Sequence, residues 1–273
     1  MDWASCFELG SFKFLIASTL SLDGFTRPSR IWKPQKIISH IHGMGFNKNY
    51  MFLKRNINNS DVIVLLTESS KEIFKKKFRS FKGEIQIIEN PILDNYKTTT
   101  KNYNLDVKLN VFYFSNLMIS KGINEFLNLA ENFNKIYNFK IAGRNIDNIG
   151  INKKVVNYNG VVKGIDKFNF INSNDVFIFY SNYEEEFYPI SLIEAVYSGK
   201  LCIVKRHNNL DLTFNNLNII WVNSFEELFK IFKDKKVLIK QYLNHLAWFN
   251  NNKNNIELRF SKENFEKKIK KLF

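Results

Sequence analysis

Between Asp175 and Val204 the chain reads DVFIFYSNYEEEFYPISLIEAVYSGKLCIV, and this stretch constrains the fold more than any other. Val176 to Tyr180 is a short apolar run with the length and composition of a buried strand. An acid-rich loop follows, from Ser181 to Tyr188. Pro189 stands where a helix would start, a position that tolerates its fixed φ and missing N–H. Ile190, Ile193 and Val196–Tyr197 recur on one helical face, and Gly199 is placed to end the helix. Leu201 to Val204 is a second buried strand. Together these make one βαβ unit, with its loop at the carboxyl end of a strand, where parallel α/β sheets bind ligands.

Two carboxylates give the unit its chemistry. Glu186 lies in the loop and Glu194 inside the helix, about 7–8 Å beyond the helix start at the usual rise per residue. Acids so spaced could grip two separated hydroxyl-bearing groups. The helix N-terminus between them would offer free N–H groups and partial positive charge to a phosphate. The ligand implied is sugar–diphosphate–ribose, a nucleotide sugar. On spacing alone, an ordinary amphipathic helix with surface glutamates is the simpler reading.

The surrounding residues favour the first. EFYPISLIEAVYSGKLCIV resembles the E-x7-E signature of the large retaining glycosyltransferase family usually called family 4, which has the GT-B fold. Glu186, Tyr188, Pro189, Glu194, Ala195 and Gly199 occupy matching places. Phe187 stands where that family commonly has glycine, which would narrow the room for the sugar. Lys200–Leu201 replaces its small residue and proline. The resemblance implies that Glu186 holds the donor sugar and Glu194 the ribose, with the Ile190–Ser191 helix start facing the diphosphate.

The same resemblance runs along the chain. Leu109 to Phe114 reads as a strand. The loop after it, SNLMISKG, resembles the family's GRLxxxKG, so Lys121 would meet the diphosphate. Asn116 takes the place of an arginine and leaves one expected charge absent. Phe139 to Gly143 is a strand and turn that bring Gly143 and Arg144 to the donor, and the loop with Val162 would cradle the base through its backbone. Earlier, Lys36 to Ile41, Asp61 to Leu66 and Ile85 to Ile88 read as strands, with Ser69 to Glu72 as a capping box. His42, followed by Gly43, resembles the family's acceptor-side histidine, and His40 is its neighbour. Phe12 to Leu22 reads as a short amphipathic helix, and Asn95 to Asn104 as a linker.

The fold expected is α/β and GT-B-like, with two Rossmann-type domains on parallel sheets and the first incomplete. Residues 1–98 would form a shortened acceptor-side domain and 105–258 the donor-nucleotide domain. Residues 259–273 would be a closing helix that returns to the first. About 35 residues before Lys36 are too few for the family's usual opening βα units. The reading is therefore a retaining hexosyltransferase of bacterial surface polysaccharide or lipopolysaccharide synthesis, or else a nucleotide-sugar-binding module. The latter would be inactive, or would need a partner chain to supply the missing units.

Composition sets the outer limits. The chain has 273 residues, 45% hydrophobic and 15% aromatic, ample for a packed core. No apolar run is long enough for a membrane span, and Phe12–Leu22 lacks the layout of a signal peptide. Cys6 and Cys202 are far apart and read as free thiols in a reducing compartment. The formal charge of +14 fits two sources: an AT-rich genome that raises Lys and Asn together, or attraction to the anionic inner membrane face where lipid-linked acceptors sit. No nucleic-acid motif, metal-ligand spacing, D-x-D, P-loop or G-x-S-x-G elbow is present. The scheme requires no metal and no cofactor beyond a UDP- or GDP-type donor, in a cytoplasmic, membrane-peripheral setting.

Overall fold

The structure, a computed structural model, describes residues 8–9, 12–13, 15–19, 36–41, 57–92, 108–183 and 186–273. The chain divides into two units. Unit 1 comprises Met1–Pro91, Glu185–Tyr188 and Lys262–Phe273, and unit 2 comprises Ile92–Glu184 and Pro189–Ser261.

In unit 1, β1 (Glu8–Leu9) pairs antiparallel with β2 (Phe12–Lys13). A four-stranded parallel sheet follows in chain order: β3 (Leu15–Thr19), β4 (Ile37–Ile41), β5 (Val62–Leu65) and β6 (Glu84–Ile87). The helix expected over Phe12–Leu22 is thus corrected at its described residues, since Phe12–Lys13 and Leu15–Thr19 are strands. An apolar run this short has no periodicity that separates helix from strand, and in-register pairing of Leu15–Thr19 with Ile37–Ile41 decides it. Helix α1 (Glu68–Lys77) is capped by Thr67, whose hydroxyl accepts from the Ser70 N–H, so the cap lies two residues before the expected Ser69.

Alternation along β5 sends its side chains to both faces of the sheet. Ile63 and Leu65 pack with Phe74 of α1 and with Phe78, its C-cap. Val62 and Val64 pack with Leu272, Phe265 and Ile269 on the other side. Helix α8 (Lys262–Lys270) therefore lies in unit 1, opposite α1, with the Lys36 ammonium donating to the Leu272 carbonyl. The expected linker lies outside the described residues.

Unit 2 is a six-stranded sheet of β7 (Asn110–Phe114), β8 (Asn138–Ala142), β9 (Val156–Tyr158), β10 (Val176–Phe179), β11 (Leu201–Lys205) and β12 (Ile219–Val222). All its pairings are parallel, in the order β12-β11-β10-β7-β8-β9. This is the doubly wound Rossmann order, which reverses direction between β7 and β10. Asp175 pins the two reversing strands together. Its carboxylate accepts from the Asn110 N–H at 2.7 Å, and its own N–H donates to the Asn110 carbonyl at 2.9 Å.

The helices of this unit are α2 (Ile123–Phe133), α3 (Gly164–Asn172), α4 (Ile190–Tyr197), α5 (Leu210–Thr213), α6 (Phe225–Lys233) and α7 (Lys235–Arg259). Aromatic residues fill the core, with Tyr113, Phe126, Phe133, Tyr137, Phe139 and Phe232 in one cluster. Burial pushes the Tyr137 hydroxyl up to about 12, and it donates to the Phe232 carbonyl. Cys202 is buried in β11, where burial pushes its thiol up, as suits an inert core residue.

Helix α7 fixes the end of α4. Gly199 has φ +70°, and a Cβ there would meet the Phe249 ring at 2.9 Å. One turn earlier on α7, His245 is 2% exposed and its Nδ1–H donates to the Asn218 carbonyl at 3.2 Å. Burial lowers the His245 pKa to about 4 from an ordinary 6.5. The folded state thus favours neutral imidazole, and its advantage is complete above about pH 6.5 and lost as pH falls towards 4. From those two values, urea unfolding should show about 3 kcal/mol more loss between pH 7.5 and 4 in the wild type than in His245→Phe. Parallel pH curves for the two proteins would contradict this.

Candidate functional site

A sheet that reverses its strand order opens a crevice beyond the carboxyl ends of the two strands at the switch. Here those strands are β7 and β10. The loop after β7 carries Asn116 and Lys121 and runs into α2 through Gly122, at φ +78°. A Cβ on Gly122 would lie 2.0 Å from the Tyr180 carbonyl oxygen, so only glycine lets the two backbones approach this closely. The loop after β10 is tied back by Asn182, whose N–H donates to the Ser120 carbonyl at 2.7 Å.

The β10 loop is held from both sides. The Lys121 ammonium sits 5.3 Å from the centre of the Tyr183 ring. From the β11 side, the Lys205 ammonium donates to Asn182 Oδ1 and lies 4.9 Å from the Tyr180 ring centre. His207 Nε2 is 2.7 Å from the Tyr183 carbonyl oxygen, a contact that requires the ring nitrogen to donate. Lys205 and His207 carry no sequence signal that marks them beforehand. They are found only because β11 lies beside β10.

On the other flank, the β7 and β8 loops are laced together. The Leu117 N–H donates to the Arg144 carbonyl at 2.8 Å, and the Ile119 N–H to Asp147 Oδ2 at 2.8 Å. Gly143 has φ +148°, and a Cβ there would meet the Ser115 carbonyl at 1.7 Å. Its N–H donates to the Gly160 carbonyl, and its carbonyl accepts from the Tyr158 hydroxyl. The loop of Gly160 and half-buried Val162 is thereby joined to the same edge. Arg144 and Asn116 are exposed there.

Helix α4 starts at this edge with Pro189 as its N-cap, and no side chain caps it. Its first-turn N–H groups, those of Ile190 and Ser191 among them, lack acceptors within the helix. Helix α2 likewise begins at Gly122 without a side-chain cap. Two helix N-termini and the cations of Lys121, Arg144 and Lys205 therefore share one edge, an arrangement suited to an anion such as a phosphate.

Glu194 is not a surface residue. It is 7% exposed, between the buried Ile193 and Ala195, and its Oε1 is 2.7 Å from the Lys167 ammonium on α3. No motif in the sequence marks Lys167. The two acids of the signature fall in different units, since Glu186 and Tyr188 count with unit 1 and Pro189 onward with unit 2. Tyr188 donates from its hydroxyl to the Asn90 carbonyl at 3.1 Å. The Phe187 ring lies in the unit 1 core with Ile41, Ile57 and Phe74, so its bulk is taken up by packing. His42 lies outside the described residues. His40 is buried on β4, stacked 6.2 Å from Phe265. Among the described residues, no group of three or more His, Cys, Asp or Glu side chains is placed to hold a metal.

No protein-family model matches the sequence, and no curated protein matches it. Solved structures do match. A sucrose-phosphate synthase from Thermosynechococcus elongatus is similar over 89% of this chain and 68% of its own, with 16% identity and a TM-score of 0.65. Anabaena HepE in complex with UDP is similar over 87% and 71%, with 14% identity and a TM-score of 0.67. The pneumococcal O-GlcNAc transferase GtfA, in complex with UDP and GlcNAc, is similar over 87% and 52%, with 16% identity and a TM-score of 0.64. A GtfA/B complex is similar too, with a TM-score of 0.60. The chain thus spans about half the length of GtfA. With its two Rossmann-like units on parallel sheets, the chain has the GT-B fold.

Proposed function

We propose that the protein is a glycosyltransferase that takes a hexose from a UDP- or GDP-sugar and passes it, with retention, to a glycan or lipid-linked glycan of bacterial surface polysaccharide. The observation that carries this reading is the switch point of unit 2, where Lys121, two uncapped helix N-termini and a buried Glu194 meet one edge of the sheet. UDP bound to HepE and to GtfA supports the nucleotide part. The signature around Glu186 and Glu194 supports the retaining chemistry.

In this reading the diphosphate lies over the start of α4, between Lys121 and Arg144. Charge grows on that group as the glycosidic bond breaks, and fixed N–H dipoles and lysine stabilise it without reorganising. Glu194 accepts from the ribose hydroxyls, the loop of Val162 holds the base through its backbone, and Glu186 and Tyr188 serve the sugar. His42 belongs to the acceptor side. No helix among the described residues is long and apolar enough to cross a membrane. Attachment at the inner membrane face would need basic residues gathered on one surface near Phe12–Leu22, whereas the lysines of α1 and α8 lie on opposite faces of the unit 1 sheet. Salt-sensitive sedimentation with anionic vesicles reads that attachment.

A second reading, in which the chain works only with a partner chain, is favoured by one neighbour having been solved as a GtfA/B complex. Sugar transfer by the purified chain alone would remove it.

A thermal-shift screen of UDP- and GDP-sugars tests the donor assignment. The matching donor, at about 100 times its dissociation constant, should add roughly 2.7 kcal/mol of stability. No response to any member of the panel would overturn it. Lys121→Ala should then weaken the nucleoside diphosphate by about 1.5–3 kcal/mol in calorimetric titration and leave the nucleoside nearly unchanged. Equal losses for both would mean that the loop was disturbed and no phosphate contact removed.

A further inference from the structure

Helix α3 is tied twice to the segment that runs from α4 into β11. Near the carboxyl edge of the sheet, the Lys167 ammonium reaches Glu194 Oε1 at 2.7 Å. At the far end of α3, the Lys200 ammonium donates to the Asn172 carbonyl at 3.1 Å, where the helix ends and carries partial negative charge. Lys200 is 4% exposed and thus a lysine of the interior. The two ties differ in kind, since one meets a backbone carbonyl and the other a carboxylate in the candidate site.

A carboxylate as buried as Glu194 is costly to keep ionised without a counter-ion. Lys167 supplies one, and it does so from a particular place. It is the fourth residue of α3, which starts directly after the loop of Gly160 to Lys163. A shift of that loop therefore moves the ammonium that holds Glu194.

We propose that Lys167 is a positioning residue for ribose recognition, holding the Glu194 carboxylate aimed so that it accepts from the ribose hydroxyls. This rests on the donor-site reading above. Lys167 itself does not touch the sugar or the diphosphate. It couples the loop beside the base to the acid that reads the ribose, so that both register on one nucleotide.

The test compares UDP and GDP with their 2′-deoxy and 3′-deoxy analogues by calorimetric titration, in the wild type, Lys167→Met, Lys167→Arg and Lys200→Met. The wild type should prefer the ribonucleotide by about tenfold or more, the worth of a hydrogen bond to a charged group. Lys167→Met should bring that ratio close to one, and Lys167→Arg should restore most of it. Lys200→Met should lower thermal stability and leave the ratio unchanged. If Lys167→Met does not fold, Lys167→Gln, which keeps the length and an N–H donor, is read by the same criterion.

A ratio preserved in the folded Met or Gln variant, with both ligands weakened alike, would reduce Lys167 to a structural tie and overturn the proposal. A wild type that binds UDP or GDP without discriminating against either deoxy analogue would overturn it while leaving the donor site standing. A wild type that binds neither nucleotide would overturn the donor-site reading and this proposal with it.

Discussion

The approach of two backbones, at Gly122 and the Tyr180 carbonyl, is the constraint on which the rest of unit 2 depends. Strands β7 and β10 are neighbours in the sheet but far apart in the chain, and the winding of the sheet reverses between them. Their following loops could diverge freely. They are held together because the chain after β7 turns through a left-handed residue with no side chain, and because the Asn182 N–H returns to the Ser120 carbonyl. Any Cβ at Gly122 would force the loops apart. Lys121 would then lose its place over Tyr183, and α2 its starting position.

Charge at that edge is arranged, which the net excess of basic residues does not reveal. Lys121 and Lys205 each lie over an aromatic ring, and Arg206 lies 3.8 Å from Asp211. Lys167 pairs with Glu194, and Lys200 serves the end of a helix from the interior. In unit 1, by contrast, lysines are strung along α1 and α8 on both sides of the sheet. That distribution suits solubility as well as any surface attraction. The cations at the unit 2 edge thus have individual partners, whereas those of α1 and α8 are spread along helix surfaces.

The sequence carried the skeleton of this arrangement because local patterns sufficed for it. Short β-branched and aromatic runs placed β7, β8, β10 and β11 within a residue of where they lie. Gly199 marked the end of α4 because its φ is positive. Where the local pattern is weak, it does not specify the element. Leu15–Thr19 is a strand because it finds β4, which no local window shows. The twenty-five residues of α7 have a weak local signal, although Leu238, Tyr242, His245, Phe249 and Ile256 are buried at helical spacing along it. The asparagine-rich stretch from Asn250 to Asn255 hides that face. Lys167, Lys205 and His207 could not be found at all, since each gains its meaning from a partner across 23 to 27 residues of chain.

The central claim is one of place: a nucleotide diphosphate bound at the carboxyl edge of the unit 2 sheet, over the switch point. Hydrogen exchange with and without the donor nucleotide tests it most directly. The account predicts slowed exchange in four segments, 115–122, 143–146, 160–164 and 189–194, because the backbone amides there face the ligand or brace the loops that do. Protection confined to unit 1, or to the opposite edge of the unit 2 sheet, would contradict it.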